Sequence, residues 1–74
     1  MTAEEIHQQL CSTFPDATIK LKDLTGGGDH WHLEIVSGAF AGKSLVEQHQ
    51  LVYRALGPWM KGPIHALALD TRAP

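Results

Sequence analysis

The 74-residue chain has little sulfur to offer, with a single cysteine, Cys11. One thiol makes no internal disulfide and no four-thiolate zinc or iron–sulfur site, a usage that fits a reducing compartment. Long apolar runs are missing too, and nothing approaches the roughly 20 residues that span a bilayer. The N-terminal MTAEEIHQQL is acidic and amphipathic, unlike a secretory signal or an Arg-rich transit segment. The expected compartment is therefore cytoplasmic, with no membrane partner. Basic residues are also sparse. Six Lys and Arg stand against eight Asp and Glu, scattered along the chain, for a net charge of −2. Nucleic-acid modules carry a basic patch or stripe, so DNA is a second-choice partner on charge alone.

What is present is enough for one domain over residues 1–74. A chain this short buries only about 60% of the surface its unfolded form exposes, so its core is thin. The apolar fraction of 43% is normal for a globular domain. Five histidines are the compositional outlier. Imidazole titrates near neutral pH and is the commonest metal ligand, so their placement carries information.

Thr2 followed by Glu5 has capping-box spacing, and Ala3, Ile6, Leu10 and Phe14 then recur at helical spacing. Pro15 stops this first helix by disfavouring the α region at Phe14. From Ala17 to Leu24 the pattern becomes alternation, as in a half-buried strand. Gly26-Gly27-Gly28 breaks it, and a second strand puts Trp31, Leu33 and Ile35 on one face and His30, His32, Glu34 and Val36 on the other. The short Gly-rich link argues for an antiparallel hairpin, flexible at its tip. Residues 37–43 read as a loop. Ser44 and Glu47 form a second capping box, ahead of a helix with Leu45, Val46, His49, Val52, Tyr53, Leu56 and Met60 on its apolar stripe. Gly57-Pro58 leaves two pieces or one bent helix as alternatives. A last alternating strand covers Ile64 to Leu69. A strand–helix–strand crossover of this length makes the last two strands parallel. The fold class is α/β (α+β): a three-stranded mixed sheet with helices on one face.

Two glycine motifs invite a phosphate and decline it. GGGD, Gly26 to Asp29, feeds a strand and lacks the helix N-terminus that holds phosphates. GAFAGKS, Gly38 to Ser44, has three residues between its glycines where the Walker pattern needs four. Its glycines serve the turn, Phe40 a core anchor and Ser44 a cap. No Ser/His/Asp or Cys/His constellation is persuasive, and Cys11 reads as a small buried hydrophobe beside the helix-one stripe. An enzyme is not expected.

The histidines divide by position. His30 and His32, at i and i+2 of a strand, share a face about 7 Å apart along it. Both could meet one ion, with Asp29 as a third ligand, yet spacing alone favours two exposed histidines at a hairpin mouth. His49 falls on the helix stripe as a packed, hydrogen-bonded residue, and His7 is an exposed helix residue. His65 opens an apolar strand in PIHALAL, where structural and functional readings weigh equally.

GDHWHLEIVSGAFAGKSLVEQHQLVYRAL followed by IHALAL resembles the BolA family. The matching features are a histidine–aromatic strand start, VS..F.GKS, a helix with QHQLVYRAL and a closing HAL strand, together covering nearly the whole chain as far as Thr71. The resemblance implies a small class II KH-like domain. It also implies a monothiol glutaredoxin partner and a shared [2Fe–2S] cluster, in iron–sulfur maturation or iron regulation. By that resemblance His65, in HAL, is the expected cluster ligand. The loop histidine of the family corresponds best to His30, with His32 a close competitor. The cysteine that other members use there is absent, with Gly28 or a neighbour in its place. Histidine can replace cysteine on one iron of such a cluster. A chain with only imidazoles at the site would then need sulfur from its partner and glutathione. The expectation is a non-enzymatic adaptor. The rival is a DNA-binding transcriptional regulator, weakened by a missing Gly-x-x-Gly loop and a barely basic helix around Arg54. A partner-free zinc or copper site at His30 and His32 is a third reading. Oligomeric state stays open, since an exposed sheet edge would let two copies pair.

Overall fold

The computed structural model describes residues 2–28, 30–61 and 66–74. Helix α1 runs Ala3–Thr13, strand β1 Thr18–Asp23, strand β2 His30–Val36, helix α2 Leu45–Leu56 and strand β3 Ala66–Arg72. The sheet order is β1-β2-β3. β1 pairs antiparallel with β2 and β2 parallel with β3, as the hairpin and crossover arguments require.

Both helices start where their side chains satisfy the free amides. Thr2 and Ser44 accept from the backbone N–H groups of Glu5 and Glu47, and each glutamate reaches back to its cap residue. These are the two capping boxes. α2 ends at Leu56 because Gly57 sits at φ 54°, where a β-carbon would be strained. A separate 3-10 segment, Gly57–Lys61, follows, so the Gly-Pro step makes two pieces rather than a bend.

One core joins the layers. Ile6 and Leu10 of α1, Trp31, Leu33 and Ile35 of β2, and Val52 and Leu56 of α2 are all buried, with Phe14 and Phe40 closing one end. The central strand thus turns its apolar face to both helices and its His30, His32, Glu34, Val36 face away from them.

Three expectations are corrected. The buried stripe of α2 is Gln48, Val52, Ala55 and Leu56, while Leu45 and Val46 are 62% and 67% exposed and Tyr53 is exposed beside them. Gln48 turns inward because its amide donates to the carbonyls of Lys43 and Phe40 and accepts from the Thr71 hydroxyl. His49 is half-buried and meets Tyr53 edge-on at 6.5 Å instead of entering the core. Strand β3 continues past Leu69 to Arg72, with its start at Ile64 and His65 lying outside the described residues. The 37–43 loop contains a 3-10 turn, Gly38–Phe40.

That turn is tied to the far end of α1 by Asp16. Its carboxylate accepts from Ser37 Oγ at 2.8 Å and from the Gly38 amide at 2.7 Å. The amide and hydroxyl hold its pKa below the ordinary 3.8. The capping threonine and serine likewise hold Glu5 and Glu47 below 4.5. A carboxyl whose folded-state pKa is depressed stabilises the fold above its unfolded pKa and loses that contribution as pH falls through the folded value. Thermal unfolding followed by circular dichroism should therefore show Tm falling from about pH 5 toward about pH 3. Asp16→Asn should flatten part of the slope. A Tm independent of pH across that window would contradict the three assignments.

Candidate functional site

The open face of the sheet carries the chemistry. On β2, His30 and His32 project on the side away from the helices, both half-buried. β3 sets Ala66 opposite His30 and Ala68 opposite His32, so only methyl groups flank the two imidazoles on that side. β1 sets Lys22 opposite His32 and Lys20 opposite Glu34. Toward the far end, Arg72 donates to Glu34 at 3.0 Å and stands 3.9 Å from Asp70. Glu34 and Arg72 are thus paired at one end of this face, whereas the histidine end is bordered by alanines on β3 and by Lys22 on β1.

The sheet brings together His30 and His32. His65 lies outside the described residues, but its neighbour in sequence, Ala66, is the residue registered against His30. Asp29, the third donor of a partner-free site, is also outside them. Among the described residues no three His, Cys, Asp or Glu side chains form a group that could hold a metal ion. Among the described residues, His30 and His32 are therefore the nitrogen donors at this end of the face. Cys11 is remote from it, on a helix that packs against the opposite face of the sheet. Its thiol is half-exposed rather than buried, with Sγ 3.6 Å from His7 Nδ1 one turn earlier.

Much of the glycine link between β1 and β2 is hydrogen-bonded to neighbouring side chains. Asp23, the last residue of β1, accepts from the amides of Thr25 and Gly26 through Oδ1 and from that of Gly28 through Oδ2. The Trp31 indole N–H donates to the Gly28 carbonyl at 3.0 Å. Gly26 and Gly28 stand at φ 78° and 77°, so the glycines supply left-handed backbone that lets several amides converge on one carboxylate. These bonds give the described part of the link a defined backbone arrangement. Hydropathy patterning does not single out Asp23. Its signal was there, however, as an Asx-turn acid two and three residues before Thr25-Gly26.

Two further features bear on function by exclusion. An open cleft of about 400 Å³ lies between the α1 start and the glycine link, lined among others by Thr2, Leu21 and Trp31. It opens on the helix side of the sheet, and neither His30 nor His32 lines it. In GAFAGKS, the Gly38 amide is held by Asp16 and the Ala39 amide by Ser37. These amides are spoken for within the fold, which adds to the spacing argument against a phosphate loop. Among the described residues no helix is long and apolar enough to cross a membrane.

Comparison with known proteins agrees with this architecture. The family model for BolA-like protein matches residues 5–74. An uncharacterized protein of Rickettsia prowazekii, RP812, is 39% identical over 71 residues, covering 96% of this chain and 92% of its own. SufE-like protein 1 of Arabidopsis thaliana is 46% identical over 48 residues, covering 65% of this chain but only 13% of that longer protein. The solved BolA domain of SufE1 from Arabidopsis thaliana superimposes with a TM-score of 0.88 at 30% identity, covering 100% of this chain and 95% of that one. With a three-stranded mixed sheet, helices on one face and a family match across almost its whole length, the chain belongs to the BolA-like protein family.

Proposed function

We propose that this protein is a non-enzymatic adaptor that binds a monothiol glutaredoxin and lends imidazole ligands to a [2Fe–2S] cluster held between them. The observation that carries the proposal is the pair of imidazoles on the open face of the central strand, registered at His30 against Ala66, the residue after His65. In this reading His65 is one ligand and His30 or His32 is the other. In this reading the chain brings only imidazoles, and the remaining ligands come from the partner and glutathione. The family resemblance supports the same role, as does the SufE-like relative, which carries the matching stretch within a longer chain.

When bound, the cluster would supply electron-transfer or transferable iron–sulfur chemistry, with imidazole nitrogen in place of thiolate raising its potential. The work of this chain is to present the β2 rings on the open face of the sheet. Ala66 and Ala68 put only methyl groups beside them on β3, the Glu34–Arg72 ion pair lies at the other end of the face, and Lys22 stands opposite His32 on β1. Protonated imidazole has no free lone pair, so cluster retention should weaken as pH falls.

The test is anaerobic reconstitution with a glutaredoxin and glutathione, read by visible absorption and circular dichroism. His65→Ala should abolish the visible dichroism of the mixed complex. A spectrum unchanged from wild type would remove His65 from the ligand set. Between His30→Ala and His32→Ala, the one that alters the spectrum identifies the second ligand, and no change in either would remove the β2 histidines from the site.

A further inference from the structure

The glycine link is usually the part of such a hairpin left to solvent, yet here its backbone is claimed almost residue by residue. Asp23 holds three amides, and the Trp31 indole holds the Gly28 carbonyl. The Leu24 amide donates to the His30 carbonyl at 2.8 Å, extending the hairpin one step past the ladder. Gly28 is therefore gripped from both sides, by a carboxylate on its N–H and an indole on its C=O. His30 follows two residues later and is itself pinned through its carbonyl. Trp31 is only 2% exposed, so its indole is a fixed post anchored in the core. The route from core to candidate ligand is short: core, Trp31, Gly28, His30.

We propose that Asp23 and Trp31 are positioning residues that lock the glycine link in one conformation and thereby set where His30 stands on the open face. This rests on the reading of the β2 histidines as ligands and assigns the shaping of that site to residues outside it. The chemistry asks for such a device. A ligand offered to a shared site loses affinity by whatever ordering its own loop must undergo on binding, and a carboxylate that gathers successive amides does that ordering beforehand. Glycine at 26 and 28 is needed because the positive φ values turn those amides inward. Without the clasp, the link that leads into His30 at the start of β2 would sample many conformations.

The test has two arms. In the isolated protein, amide hydrogen exchange at Gly26 and Gly28 and the imidazole resonances of His30 are compared in wild type, Asp23→Ala and Asp23→Asn. Asp23→Asn keeps the side-chain shape and one acceptor oxygen. It covers the case in which the alanine variant fails to fold, judged by the dispersion of core resonances. Exchange at Gly26 or Gly28 should quicken about tenfold, as expected for loss of a charge-assisted hydrogen bond, and the His30 ring resonances should shift. Unchanged exchange in both variants would overturn the clasp. Faster exchange with His30 unmoved would overturn its positioning role. The second arm is reconstitution with glutaredoxin and glutathione, in which a folded Asp23 variant should require several-fold more partner to reach half the wild-type dichroism. A wild type that forms no cluster would defeat the ligand reading, whereas a normal wild type with an equally effective Asp23 variant would defeat only the positioning role.

Discussion

Phe40→Ala should cost about 3–5 kcal/mol of unfolding free energy, as expected for emptying a buried aromatic site. Phe40 lies in the 3-10 turn between β2 and α2, outside every regular element, yet it is only 1% exposed. Its ring meets that of Phe14 at 5.4 Å and 50°, a tilted pair that adds to simple area burial. The two rings close the end of the core where α1 finishes and the loop to α2 begins. A domain of this size holds roughly 4–11 kcal/mol in total, so one truncation removes a large share. Urea unfolding should show a lower midpoint, and Tm should drop by about 15 °C or more. Phe40→Leu, which keeps most of the volume, should cost far less. An alanine variant within about 1 kcal/mol of wild type would mean that the ring does not occupy the core.

Phe40 also illustrates what the sequence makes legible. Its apolar character in an otherwise small and polar loop marked it as an anchor. The capping boxes at Thr2 and Ser44 gave both helix starts, because a cap is a local bond between residues three apart. Alternation in β2 gave the two faces of the central strand and so placed His30 and His32 together. What local pattern could not give was the rotation of α2. Leu45, Val46 and Tyr53 look like a core stripe, but the helix turns so that Gln48 is inside. That rotation is set by the Thr71 hydroxyl, distant in sequence, and by carbonyls of the loop just before the helix, and hydropathy counts none of them. Asp23 escaped for a similar reason. Glycines near a charged residue read as a loose loop until the positive φ values show the amides converging on the carboxylate. At the histidines, spacing reported a shared face. It was the register against Ala66 that tied that face to the neighbourhood of His65 in the chain.

Gln48→Ala should be the most damaging polar substitution in the fold, at about 1–3 kcal/mol, since it strands buried groups rather than merely deleting contacts. Gln48 is 8% exposed and Thr71 5%. The Gln48 amide nitrogen donates to the Lys43 carbonyl at 2.9 Å and to that of Phe40 at 3.4 Å, while its oxygen accepts from Thr71 Oγ1 at 2.7 Å. One side chain thus joins α2 to β3 and to the loop that carries Phe40. With alanine there, the threonine hydroxyl loses its acceptor inside the core. Thr71→Val alone should cost less, because the Gln48 amide would still hold its two carbonyls. In the double variant the stranded hydroxyl is gone, so the combined cost should fall short of the sum of the two single changes. A coupling of at least about 0.5 kcal/mol is expected for residues in direct contact. Urea unfolding of the four proteins measures it, and strict additivity would show that the 2.7 Å bond contributes nothing to holding α2 in its observed rotation.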